Sequence, residues 1–266
     1  ASLGCEGDAT SACLSTAQID ALKASFAGPV DASGNALYSR WIVDTGIASS
    51  NWRTWKIESP IEAWKNKPII GVMGAASLAQ VFTTPPTAVG GTPEELIAFL
   101  LSFDIARDGQ KIFATDQTFQ QSAIDFMVPP GATDPKLEAF RQAGHKMIVF
   151  HGNSDPVFSV VDTVNWYRKL DENLDGSASD FVRLYRIPGM PHGAGGPSFD
   201  DFDFFAPLVD WVENGKAPQA VPAGVTETNK EAGALQGQRF LYCPYPSVTR
   251  GSDDPAAAGE ARYACR

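Results

Sequence analysis

Apolar and polar positions change rhythm twice along this chain of 266 residues. The run from Leu14 to Leu22 opens a helix: Ser15 and Gln18 stand at capping-box spacing, and Gly28 suits the position just past the helix end. From Gly28 to Gly91 no period holds. Four of the six tryptophans fall there (Trp41, Trp52, Trp55, Trp64), and Pro60, Pro68, Pro85 and Pro86 interrupt any long element. The pattern predicts a loop-rich lobe packed on aromatic side chains. Thr92-Pro93-Glu94-Glu95 then starts a second helix, with proline at its first position and a second capping box; its apolar run continues through Leu101 and Phe103.

The second change comes near residue 140. Lys146-Met147-Ile148-Val149-Phe150 is a short apolar run of the kind a buried parallel strand shows. A turn at Asp155 follows, then a helix capped by Ser159 and reaching about Leu170. Phe181 to Ile187 is a second strand, and Phe204 to Asn214 an amphipathic helix stopped by Gly215. Strand, helix, strand, loop, helix is the order of a parallel α/β layer. The tail from Pro218 reads as irregular. Parallel sheets usually hold ~4–6 strands covered on both faces, so the α/β part is expected to be incomplete as written.

Composition narrows the function. Hydrophobic residues make up 44% of the chain, charged residues 20%, and the net charge is −10. Such a surface disfavours phosphate backbones and anionic membranes, so neither a nucleic acid nor a membrane is an expected partner. No apolar run approaches the roughly 20 residues of a membrane span. The four cysteines, Cys5, Cys13, Cys243 and Cys265, allow three pairings; local closure of the first two and the last two is the simplest. Disulfides would imply a secreted or periplasmic protein, four free thiols a cytosolic one. None forms a C-x-x-C and none lies near a histidine, so no zinc site or dithiol redox centre is expected.

Two loops carry candidate chemistry. His151-Gly152-Asn153-Ser154-Asp155-Pro156 puts an acid on a turn after a strand, and Pro188-Gly189-Met190-Pro191-His192-Gly193-Ala194-Gly195-Gly196 puts a histidine on a glycine-rich loop after the next strand. Acid then histidine, with one helix and one strand between, is the order of the last two triad members in an α/β-hydrolase. Read singly, Asp155 also fits a turn cap, and His192 a solvated loop residue. Glycines 189, 193, 195 and 196 allow sharp bends or close approach. His145 reads as a surface residue. His151 fits either a place beside the site or a satisfied core position. Asp171 to Gly176 matches the first half of an EF-hand loop, but Val182 occupies the place of the bidentate glutamate. No metal site is expected. The nucleophile is not in view: no Gly-x-Ser-x-Gly occurs, Ser77 fails the elbow spacing, Ser154 adjoins the acid, and Ser198 follows the histidine.

The His151–Pro156 stretch, Pro188–His192 with Gly195-Gly196, the run Trp211-Val212-Glu213-Asn214-Gly215-Lys216-Ala217-Pro218, the tail Leu241–Pro246 and Cys13–Gln18 together resemble the tannase/feruloyl esterase family, across nearly the whole chain. The resemblance implies the C-terminal part of an α/β-hydrolase. Residues 1–125 would form a loop-rich inserted lid and residues 126–266 the end of the catalytic sheet, with the N-terminal part of the core absent. It implies a serine-type esterase for aromatic-acid esters such as gallates, ferulates or terephthalate half-esters, secreted or periplasmic, with Asp155 as triad acid and His192 as triad base. It also implies disulfides Cys5–Cys13 and Cys243–Cys265, and a structural calcium in an upstream lid segment. The partners it implies are the N-terminal half of the same hydrolase fold and a small aromatic ester. One departure stands out: the family usually follows its histidine with a cysteine bonded beside the nucleophile, and here that place is Gly193, so packing and hydrogen bonds would have to hold the triad. A catalytically silent binding relative, or an α/β-hydrolase with a non-serine nucleophile, are the competing readings.

Overall fold

The computed structural model describes residues 4–5, 10, 12–251 and 258–266. The first half is helical: α1 (Thr16–Ala27), α2 (Ser50–Lys56), α3 (Ile69–Gln80), α4 (Pro93–Ser102), α5 (Ile105–Asp108), α6 (Ala123–Met127) and α7 (Glu138–Gln142). Both expected capping boxes form. Gln18 N–H donates to Ser15 Oγ at 3.2 Å while Ser15 N–H donates to Gln18 Oε1 at 2.9 Å, and Thr92 and Glu95 repeat the arrangement on α4. Helix α3 corrects the expectation of a loop-rich stretch. Its sequence, IIGVMGAASLAQ, is apolar almost all round and so carries no 3.6-residue period to read. It is apolar because Val72 and Ala75 are buried against Leu96 of α4, with Trp64 and Phe99 at the edge of that cluster.

The second half carries the sheet. Strands β1 (Met147–Gly152) and β2 (Val182–Ile187) run parallel, paired from Met147–Val182 to Gly152–Ile187, and α8 (Val160–Asn173) makes the crossover between them. Alternate residues of β2 serve two cores. Val182 and Leu184 pack on Tyr167 and Leu170 of α8, while Tyr185 and Ile187 face Met190, Phe204, Val221 and Tyr242. The strand is buried on both faces although Arg183 and Arg186 interrupt its apolar run. On the second face Arg183 lies 5.1 Å over the Trp211 ring, and its Nε–H donates to Pro218 O at 3.2 Å. Tyr185 donates its hydroxyl proton to the same carbonyl, and burial pushes that phenol up to about 12.

The tail is not irregular. After β3 (Asp201–Phe202) and α9 (Phe205–Asn214), β4 (Val221–Gly224) pairs antiparallel with β3 and with β5 (Phe240–Tyr242), and β6 (Thr249–Gly251) pairs with β7 (Tyr263–Cys265). These strands are two to four residues long, too short for an alternation to register. Chain just beyond β5 meets β2 through a bridge between Tyr185 and Pro244, and Tyr245 N–H donates to Leu184 O at 2.7 Å. The structure joins Cys5 to Cys13 and Cys243 to Cys265. Asp171 to Gly176 is the C-terminal turn of α8: Gly176 N–H donates to Asp171 O, and the Asp171 side chain accepts from Ala178 N–H.

Candidate active site

Both predicted loops leave the same end of the parallel pair and meet. Asp155 follows β1 in a tight turn; its Oδ1 accepts the backbone N–H groups of Val157 at 2.7 Å and Phe158 at 2.9 Å. That turn fixes the carboxylate plane and leaves Oδ2 free for the neighbouring loop. His192 follows β2, and its Nδ1 lies 2.9 Å from Asp155 Oδ2. Since a carboxylate only accepts, Nδ1 carries the proton, and Nε2 of the neutral ring presents a lone pair. Among the described residues Nε2 has no hydrogen-bond partner, and the side chain is 35% exposed while Asp155 is buried. The edge of Trp55 meets the imidazole at 5.2 Å between centroids, and Phe158 lies at 5.7 Å. Gly189, Gly193, Gly195 and Gly196 all take positive φ. At Gly193 the value is 91°, a conformation that would strain a cysteine or any other side chain in that place.

His151 proves to be a satisfied residue beside the site. Its Nε2 donates to Phe158 O at 3.1 Å and stands 3.5 Å from Asp155 Oδ2, while Nδ1 accepts from the Thr163 hydroxyl at 2.7 Å. Burial pushes the Asp155 carboxyl up, but hydrogen bonds from His151, His192 and the two backbone N–H groups outweigh it and hold the carboxyl below its ordinary value. The acid is thus ionised wherever a neutral histidine exists. Nearby, Lys56 places its ammonium 5.0 Å over the Trp41 ring; burial pulls its pKa down, against the opposing pull of the Asp155 charge. His145 is exposed and rests on Phe140.

Ser77, Ser154 and Ser198 make no hydrogen bond to His192. Ser77 is exposed on α3, Ser154 is buried against Asp44 and Gly46, and Ser198 donates to Gly195 O. Asp200 bonds Thr226, and Asp203 accepts the N–H groups of Phe205 and Ala206 at the start of α9. Among the described residues no group of three or more His, Cys, Asp or Glu side chains could hold a metal. No described helix is long and apolar enough to cross a membrane.

Three residues of the helical half reach the site: Trp55, one of the lobe's four tryptophans, and two without any signal in the sequence, Asp44 and Asn51. Asp44 and Asn51 bond the backbone of the histidine loop, and Trp55 touches the ring. Asp44 is readable as the cap of a short 3₁₀ turn, Thr45–Ala48, but not as a partner of residues more than a hundred positions away.

The tannase and feruloyl esterase family model matches residues 1–265. Mono(2-hydroxyethyl) terephthalate hydrolase of Piscinibacter sakaiensis is 38% identical over 99% of this chain and 43% of its own length. A probable feruloyl esterase B of Aspergillus niger is 35% identical over 43% of this chain and 25% of its own. The solved tannin acyl hydrolase of Aspergillus niger superposes with a TM-score of 0.57 at 20% identity, covering 96% of this chain and 43% of that one, and so shares the fold. The chain spans less than half the length of these relatives. With the acid–histidine pair after two parallel strands and a family match from end to end, this chain belongs to the tannase and feruloyl esterase family.

Proposed function

We propose that this chain carries the acid and the base of a serine-type carboxylic ester hydrolase acting on esters of aromatic acids. The observation that carries the reading is the 2.9 Å bond between His192 Nδ1 and Asp155 Oδ2, which leaves Nε2 unpartnered among the described residues on a partly exposed ring. That geometry fixes the tautomer a general base needs. In the reaction, Nε2 removes the proton of a serine hydroxyl as its oxygen attacks the ester carbonyl. The same proton passes to the departing alkoxide, leaving an acyl-enzyme and a free alcohol. Water then attacks the acyl group, again giving its proton to Nε2, and the carboxylic acid and the serine hydroxyl are restored. Throughout, Asp155 orients the ring and stabilises the transient imidazolium.

In this reading residues 1–125 form the lid and residues 126–266 the end of the catalytic sheet. The partner is a further segment of the same hydrolase fold that brings the serine. Among the described residues β1 pairs only with β2, which leaves its other edge open to a further strand. Two disulfides fit a secreted or periplasmic protein. The test is steady-state hydrolysis of an activated aromatic ester by the protein complete with its serine segment. Replacing His192 by Ala is expected to lower kcat by several orders of magnitude; undiminished turnover would refute the assignment.

A further inference from the structure

The histidine loop lacks a cysteine to fasten it, yet it is fastened. Asp44, in the helical half, sits in the crevice between the two catalytic loops. Its Oδ2 accepts Gly189 N–H of the histidine loop at 2.8 Å and the Ser154 hydroxyl of the acid turn at 3.3 Å, while Oδ1 accepts Thr45 N–H at 2.9 Å. Two residues on, Gly46 N–H donates to Ser154 Oγ at 3.0 Å. The approach is so close that a Cβ at Gly46 would fall 2.3 Å from Gly189 O and 2.5 Å from Ser154 Cβ and Oγ, touching both loops at once. The loops also bond each other there: Ser154 N–H donates to Met190 O at 3.0 Å. From the following helix, Asn51 donates to His192 O at 3.1 Å.

We propose that Asp44 is a positioning residue for the catalytic pair, a carboxylate clasp that sets the separation of the Asp155 turn and the His192 loop. The inference rests on the esterase reading for its kinetic consequence but not for its structural one. Ser154 and Asp155 are consecutive, and Gly189 lies three residues before His192. A single carboxylate oxygen shared between Gly189 N–H and Ser154 Oγ therefore couples the backbone that carries the base to the backbone that carries the acid. It offers no group to substrate. Its lever is distance: a shift of about 1 Å between acid and base can cost on the order of a hundredfold in rate.

The isosteric change Asp44→Asn tests this. An amide has one acceptor oxygen, so either Thr45 N–H or the Gly189–Ser154 pair must face an NH2 group, and one side of the clasp opens. Two readouts are taken on the complete protein. Kinetically, kcat on an activated aromatic ester is expected to fall roughly 10- to 100-fold with KM changed less than about threefold. By nitrogen and proton NMR of the imidazole, the His192 Nδ1–H resonance of the parent is expected to weaken or split in the variant, while thermal unfolding stays cooperative. Ser154→Ala, which leaves Gly189 bonded to Asp44, is expected to give a smaller change in both. An unaltered His192 resonance and kcat in folded Asp44→Asn would overturn the proposal. So would a loss of activity matched by loss of folded protein, with the resonance of the remaining folded fraction unchanged. If His192→Ala leaves turnover intact the esterase reading fails, yet the resonance experiment still decides on the clasp.

Discussion

Replacing Asp155 by Asn keeps the shape of the acid and changes only which atoms donate. The asparagine oxygen retains the two turn bonds from Val157 and Phe158, at 2.7 and 2.9 Å. Its NH2 group then stands where Oδ2 accepted from His192 Nδ1, and two donors face each other at 2.9 Å. His192 can relieve this only by moving its proton to Nε2, which removes the lone pair that the mechanism requires. A fall in kcat of about ten-thousand-fold is expected, equivalent to about 5 kcal/mol at 1.36 kcal/mol per factor of ten. KM should move little, because Asp155 is buried and offers nothing to substrate. Stability gives an independent check. In the folded protein the carboxyl is held below its ordinary value, so its contribution is fully present above the unfolded value near ~3.9 and is lost as pH falls through the lower folded value. The parent should therefore lose denaturant resistance more steeply below about pH 4 than Asp155→Asn, whose amide does not titrate. Steady-state kinetics with an activated aromatic ester and urea titrations over a pH series supply the measurements. A folded variant with kcat within about tenfold of the parent would refute the tautomer argument.

Two further predictions concern the scaffold. Leu184→Ala removes a fully buried side chain between β2 and α8 and should cost about 2–5 kcal/mol, read as a lower urea midpoint at unchanged slope; a cost below 1 kcal/mol would mean that the second core is not packed as described. Replacing Cys243 and Cys265 together by serine releases a closure of 22 residues and should cost about 3 kcal/mol in the chain-entropy model, with an unchanged unfolding midpoint as the contrary result.

What the sequence disclosed, and what it hid, divides by the range of the interactions. Capping boxes at Ser15 and Thr92 lie within one turn, and both formed. β2 was legible because apolar residues still dominate Phe181 to Ile187 around Arg183 and Arg186, and Asp155 and His192 drew notice because each lies on a loop shortly after such a strand. Helix α3 was hidden for another reason: its sequence stays apolar even at exposed Met73, so the stretch carries no period. The short strands β3 to β7 offered too few residues to alternate. Hardest to read was the clasp. Asp44 caps its own turn through one oxygen, and that local role fully accounts for an aspartate before Thr45 and Gly46. Its second oxygen works on Gly189, 145 positions away, and no feature of either segment announces the other. A carboxylate has more acceptor sites than a cap consumes. Spare acceptor capacity on a capping aspartate followed by a glycine is therefore a better pointer to a long-range contact than the cap itself, because glycine is what lets a second backbone come close enough to use it. At Gly46 that second backbone is the pair of loops bearing Asp155 and His192.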